Sequence, residues 1–303
     1  MQTIDQSPIA APLVADMAGV MQWRERRSTL ASATQEQRTQ ALHNISLHIR
    51  RQLITTIYGA GIGHVGGDFS VTDILVTLFN AVLHIDPAQP NLAERDRFIL
   101  SKGHCAAALY STLADCGFFS PERLHHFAGP LSPLNGHPNR NKVPGVETNT
   151  GPLGHGLPVG VGCATAAQML GQNWRTFVVL GDGELQEGSN WEAAMYASQR
   201  QLGSLTAIVD RNLLQQGASV ADTNDIEPLA DKWRAFGWEV LTIDGHSFGD
   251  LYQVLTARSQ GRPRAIIANT IKGKGVSFME NGIEWHHKLP SADQLKAALE
   301  ELK

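Results

Sequence analysis

The sequence predicts an α/β fold, a parallel sheet covered by helices on both faces. Short apolar runs alternate with segments of three- and four-residue apolar spacing through the second half of the chain. Strands alternating with helices form βαβ units, whose crossovers place helices on both sides of one parallel sheet. Apolar runs also end directly on turn residues, as at Gly181-Asp182-Gly183. In open parallel sheets ligands bind at the carboxyl ends of strands. Composition agrees: 42% of the 303 residues are hydrophobic and 18% are charged, which suits a packed unit rather than a disordered chain.

The elements follow in order. Residues 1–35 mix Pro, Ser and Gln with the basic cluster Arg24, Arg26 and Arg27, and read as an N-terminal arm or loosely packed extension. Residues 36–303 read as one domain, without repeat or internal linker. Over 37–58, Leu42, Ile45, Ile49, Leu53, Ile54 and Ile57 recur at helical spacing, which predicts a helix with one buried face ended by Gly59. The glycine-rich stretch 59–67 reads as a loop, followed by a helix capped by Ser70. Residues 97–100 form an expected strand and 106–115 a helix. The Pro-, Gly- and Asn-rich region 117–150 reads as a long functional loop. Helices are expected at 156–170, 190–202, 227–236 and 248–259, and strands at 177–180, 205–209, 239–243 and 265–268.

Bulk properties exclude several classes. A net charge of −4 argues against a nucleic-acid partner. The uninterrupted apolar run of ~18 residues that a transmembrane helix needs is missing, so no membrane partner is expected. The first positive charge is Arg24, and Asp16 interrupts the apolar stretch 9–20, unlike a signal peptide. Cys105, Cys116 and Cys163 are odd in number and contain no CxxC pair, so neither a disulfide framework nor a zinc site is expected. Buried thiols in a reducing cytosol are the simpler reading, and a cytoplasmic location is expected.

The chemistry concentrates after two strands. Asp182 stands between two glycines, and Asn212 follows the next strand, 30 positions on. Adjacent strand ends lie about 5 Å apart, so both side chains reach one ion. Their oxygens suit a hard cation such as Mg²⁺ (or Ca²⁺ or Mn²⁺), which shares its coordination with phosphates. A helix N-terminus contributes about 0.3–1 kcal/mol to holding an anion. Two opposite unit charges at 4 Å gain about 4 kcal/mol at an effective dielectric of 20. A metal is therefore expected to dominate phosphate binding. Gly61-Ile62-Gly63-His64-Val65-Gly66 matches GxGxxG literally but follows a predicted helix, whereas a dinucleotide site needs a preceding strand. Lys102 and Lys272 suit a structural role as well as a site role.

The Gly181-Asp182-Gly183 turn followed by Asn212 resembles the thiamine-diphosphate fingerprint, and GDGELQEGSNWEA at 181–193 is similar to transketolases in particular. Matching stretches in the same order are Gly63–Gly67, Leu100–His104, Gly136–Pro138, Thr150–Gly154 and Trp285-His286, so the resemblance runs from about residue 45 to 290. It implies a thiamine-diphosphate-binding PP domain with Asp182, Asn212 and the Leu214 carbonyl on the metal. Gly181, Gly183, His104 and His286 would belong to the cofactor site. Gly151, Pro152 and Leu153 would line its rings, with Leu153 holding the bent shape. His64, His137 and His286 would face substrate carbons, with His104 between phosphate and substrate. Glu187 would serve a contact between the two halves of the site. The implied activity moves a two-carbon ketol unit from a ketose phosphate to an aldose.

Some features depart from the family. Arg211 follows Asp210, Lys272-Gly273-Lys274-Gly275 follows the last strand, and His287 stands where glycine is usual, which leaves open whether His286 or His287 faces the site. The residues after 290 are not expected to form a pyrimidine-binding domain. The resemblance therefore implies a separate C-terminal subunit carrying that domain, in an α2β2 assembly with sugar phosphate substrates. Two readings compete with it: part of an enzyme like deoxyxylulose-phosphate synthase, and a non-catalytic cofactor-binding or regulatory subunit.

Overall fold

A computed structural model describes residues 10–303. Its centre is one parallel sheet of five strands: β1 (Arg97–Leu100), β2 (Thr176–Gly181), β3 (Leu205–Arg211), β4 (Glu239–Asp244) and β5 (Arg264–Asn269). Their spatial order is β1-β2-β3-β5-β4. Successive side chains on a strand point to opposite faces. Val179, Ile208 and Ile266 thus enter one core, and Val178, Ala207 and Ile267 enter the other. Helices α2 (Gln35–Ala60), α3 (Val65–Thr77), α4 (Ala106–Asp115) and α9 (Phe248–Thr256) cover the first face. Helices α5 (Gly156–Met169), α6 (Gly188–Gln199) and α8 (Leu229–Ala235) cover the second. This is the expected α/β architecture.

The N-terminal extension differs from its reading. Residues 1–9 lie outside the described residues, but Met17–Ser32 form helix α1 with Val20, Trp23 and Leu30 buried. The Trp23 indole donates to the Phe79 carbonyl at 3.2 Å. The basic cluster binds the body of the protein, with Arg24 on Asp86 at 2.7 Å and Arg26 on Asp115 at 2.6 Å. Val20, Trp23 and Leu30 share one face, but exposed Met17 and Met21 and the arginine cluster blur that stripe, so periodicity gave no clear sign of it.

The stretch 59–67 is a shorter loop than expected. Helix α2 runs to Ala60, where Gly61 at φ +66° donates its N–H to the Ile57 carbonyl. Helix α3 already starts at Val65, so Ser70 lies inside it and caps nothing. Gly66 and Gly67 serve close packing here: an added Cβ would lie 2.9 Å from the Trp285 carbonyl oxygen and 3.0 Å from Cys105 Sγ respectively. The predicted helices at 190–202, 227–236 and 248–259 keep their places with shifted ends. Two short helices lacked a sequence reading, α7 (Val220–Asn224) and α10 (Ala292–Glu301). The stretch Val65–Val82 is long and apolar enough to cross a membrane, but 94% of it is buried inside the fold, as suits a core helix.

Helix α5 packs so closely on the sheet that a Cβ on Gly160 would stand 2.5 Å from Val178 Cγ2. Gly160→Val is expected to lower stability by about 1–3 kcal/mol, the usual cost of overpacking a core. Chemical denaturation measures this; an unchanged midpoint would mean that α5 can move off β2.

Candidate active site

The ends of all five strands reach one side of the molecule, and four of them meet in one cavity. After β1 come Lys102 and His104; after β2, Asp182 and Gly183; after β3, Asn212 and Leu214; after β5, Lys272. The α2–α3 turn adds His64, and the segment after β5 adds His286 and His287. Gly151, Leu153, Gly181 and Glu187 complete the wall of a cavity of about 360 Å³.

Its floor is an oxygen-rich corner. Asp182 is buried and accepts N–H bonds from Gly183 at 2.8 Å and Leu213 at 2.5 Å. Leu213 adopts φ +67°, a left-handed turn rare for a non-glycine residue, and its neighbour Leu214 turns into the cavity wall. Asn212 is also buried, and its Oδ1 accepts the Leu214 N–H at 3.1 Å. Burial, reinforced by the nearby Asp210 carboxylate, pushes the Asp182 carboxyl up to about 6. Among the described residues no ion pair offsets its charge. A buried carboxylate outside any direct salt bridge, beside an amide oxygen and a main-chain carbonyl, is the donor set of a hard divalent ion. The residues present therefore fit Mg²⁺.

The wall is a cluster of imidazoles. His64 stands 5.2 Å from His104, 5.5 Å from His286 and 4.4 Å from His287 between ring centroids. His104 and His286 stack at 5.5 Å. Burial, with His287 and His137 adding repulsion, lowers His64 to about 4. Burial and then Lys272 lower His286 to about 3, and burial with Lys102 holds His104 well below the ordinary histidine value. All three rings are neutral at pH 7, able to accept a proton at one nitrogen and donate from the other. Lys272, lowered to about 8 by burial and by Lys102, bridges wall and floor: its Nζ meets His286 Nδ1 at 2.9 Å and the Leu214 carbonyl at 3.4 Å.

The sequence of the chain matches the family described as transketolase, thiamine diphosphate binding domain, over residues 43–302. It is 43% identical to one subunit of the apulose-4-phosphate transketolase of Phocaeicola vulgatus, over 84% of the chain and 90% of that protein. It is 40% identical to the 6-deoxy-6-sulfo-D-fructose transketolase subunit SqwG of a Clostridium species, over 88% of the chain and 98% of that protein. The chain belongs to the transketolase family, in its thiamine-diphosphate-binding domain. A solved transketolase from Campylobacter jejuni has the same fold, with a TM-score of 0.80 and 30% identity. The alignment covers 86% of this chain and 42% of that longer one, so the chain spans well under half of the solved transketolase.

Within this family domain, the residues expected from sequence gather unevenly. His64, His104, Glu187, His286, Gly151, Leu153, Gly181, Asp182, Gly183, Asn212 and Leu214 all border the cavity. Pro152 and His137 are exposed and outside the lining; His137 packs against Gly151, where an added Cβ would meet its ring at 3.1 Å, and lies near enough to His64 to repel it. Both His286 and His287 border the cavity; His286 is half-buried on Lys272 and His287 is exposed beside His64.

Sequence reasoning missed two supports. Glu184 is buried and accepts from the N–H groups of Gly154 and Gly181, both at 3.0 Å, and from the Ser101 hydroxyl. It joins the segments after β1 and β2 to the 151–154 loop. Asp210 accepts from Lys102, Ser70 and Thr270. Both were visible as acids beside strand ends, but nothing in the sequence showed which donors would surround them.

Two outcomes follow for the floor. Asp182→Ala should abolish Mg²⁺-dependent binding of thiamine diphosphate, measured by calorimetry; unaltered binding would remove Asp182 from the metal site. If Asp182 holds the ion, its raised carboxyl makes that binding pH-dependent. Protonation competes with the ion, so affinity should hold above about pH 6 and fall roughly tenfold per unit below it, which Mn²⁺ titration by electron paramagnetic resonance reads.

Proposed function

We propose that the chain is the thiamine-diphosphate- and Mg²⁺-binding subunit of a two-chain transketolase, completed by a partner that carries the pyrimidine-binding domain. The observation that carries this reading is the meeting, in one cavity, of three hard oxygen donors and four imidazoles. Asp182, Asn212 and the Leu214 carbonyl would hold the ion and through it a diphosphate. Bound there, thiamine diphosphate supplies the electron sink for cleaving the carbon–carbon bond beside a ketose carbonyl.

The residues of this chain handle binding and protons. His64, His104 and His286 are neutral and converge on the same space, so they can take a proton from a sugar hydroxyl and return one to an aldehyde oxygen. Lys272 orients His286 by its contact with Nδ1. Leu153 presents an apolar side chain to the cavity, suited to packing against the cofactor's rings. Glu187, exposed at the cavity border, would be available for a contact with the partner. The names of the relatives, as subunits, support a separate partner and a sugar phosphate or related ketose as substrate. An α2β2 assembly and a cytoplasmic location complete the proposal; the three cysteines, free of disulfides, suit a reducing compartment.

The test is ketol transfer from xylulose 5-phosphate to ribose 5-phosphate with thiamine diphosphate and Mg²⁺, for this chain, its partner and the mixture. Activity in the mixture alone is expected. Activity of this chain alone would overturn the two-chain reading, and a mixture that binds the cofactor without turnover on a panel of ketoses would overturn the enzymatic one. His64→Ala should lower kcat by about 10²–10⁴-fold, the range of a lost proton-transfer group, with metal binding retained. A kcat within threefold of the parent would exclude His64 from the proton transfers.

A further inference from the structure

We infer that His246, at the end of strand β4 and outside the cavity, is a positioning residue that sets Lys272 and through it His286. β4 is an edge strand, and of the five strand ends its own alone supplies nothing to the cavity lining. It closes on Asp244-Gly245-His246, and the imidazole is held at both nitrogens. His246 Nδ1 lies 2.7 Å from Asp73 Oδ2. The main-chain N–H of Ile271 donates to His246 Nε2 at 2.8 Å.

These two partners settle the tautomer. A backbone N–H can only donate, so Nε2 must present its lone pair. Nδ1 then carries the proton and donates it to the carboxylate. Asp73 is itself fixed: it is buried, paired with the Arg50 guanidinium through contacts of 2.8 and 2.9 Å, and bonded to the Ser46 hydroxyl. A rigid chain of contacts thus runs from helix α2 through Asp73 of α3 and His246 to the backbone of Ile271.

Ile271 immediately precedes Lys272, which is 1% exposed. The Lys272 stem passes Gly66 so closely that a Cβ there would meet Lys272 Cγ at 3.0 Å. The Gly273 N–H donates to the Gly66 carbonyl and the Asn281 N–H to the Lys272 carbonyl, each at 2.9 Å. The His246 bond fixes the same residue from its other side. A rotation of the peptide between Ile271 and Thr270 would swing Nζ away from His286 Nδ1 and the Leu214 carbonyl together. His246 touches none of the cavity residues named for binding or proton transfer, so its influence passes through the backbone.

The catalytic consequence rests on the proposed ketol transfer; the geometric one does not, and the test separates them. In the assembled two-chain enzyme with histidine ¹⁵N-labelled, His246→Leu should move the His286 Nδ1 resonance towards that of a free imidazole and lower kcat by about 10–100-fold, the scale of a misplaced group. His246→Gln, whose amide oxygen can still accept from Ile271, should restore most of both. His246→Asn reaches only the Nδ1 position; it should keep the Asp73 contact and the fold, yet behave like the leucine variant. With Lys272→Met already present, His246→Leu should have no further effect on His286. An unmoved His286 resonance in folded His246→Asn, or equal effects of His246→Leu with and without Lys272, would overturn the inference. Should the wild-type complex turn over no ketose, the proposed activity falls while the resonance still decides the positioning role.

Discussion

The buried contact between Lys102 and Asp210 organises the site. Their charged atoms lie 2.5 Å apart with both side chains almost fully shielded from water. Burial alone would drive the lysine to lose its proton, but the Asp210 carboxylate holds it charged, above the ordinary lysine range. Removing one member of such a pair leaves an uncompensated buried charge and costs about 3–5 kcal/mol. Asp210 also accepts from Ser70 at 2.7 Å and from the Thr270 hydroxyl. One carboxylate therefore ties the ends of β1, β3 and β5 to helix α3. The loops that carry His104, Asn212, Lys272 and His64 leave from these four elements, so their relative positions follow from this anchor.

Around the anchor the cavity divides by chemistry. Oxygen donors lie where β2 and β3 end, and the parallel register that sets Gly181 beside Asp210 brings Asp182 and Asn212 together. Nitrogen groups line the opposite wall, supplied by the α2–α3 turn and by the segments after β1 and β5. Lys272 joins the two through a single ammonium group. A diphosphate held by the oxygens through a cation would leave its organic portion beside the neutral imidazoles, the arrangement that proton transfer next to a carbonyl requires. Lys102 and Lys272 lie close enough to repel, and part of the depression of Lys272 comes from that repulsion.

Much of this was legible along the chain, for reasons that differ by element. Strands β1, β2, β3 and β5 were readable because their buried residues on both faces make short apolar runs, whereas β4 is only partly buried and was marked by the βαβ alternation around it. Asp182 and Asn212 were readable because strand ends are where a parallel sheet exposes its ligands, and glycines beside an acid mark a close approach. Helix α1 was not, because exposed Met17 and Met21 and its arginines blur the buried face of Val20, Trp23 and Leu30. Ser70 misled: a serine after glycines reads as a cap, but here glycine makes room for Trp285 and Cys105, and the serine serves Asp210. Glu184 and His246 were passed over because their partners are 30 and 173 residues away.

By itself the sequence determined the α/β class, the family and the residues at the strand ends, since those depend on local pattern and short motifs. The tertiary structure decided which of these share a cavity. It set His137 and Pro152 outside the lining, put both His286 and His287 on it, and brought Asp73 and His246 behind Lys272. A hydrogen bond is set by distances of about 3 Å and by direction. Residues far apart in the chain reach those distances only once the sheet order and helix packing have been chosen.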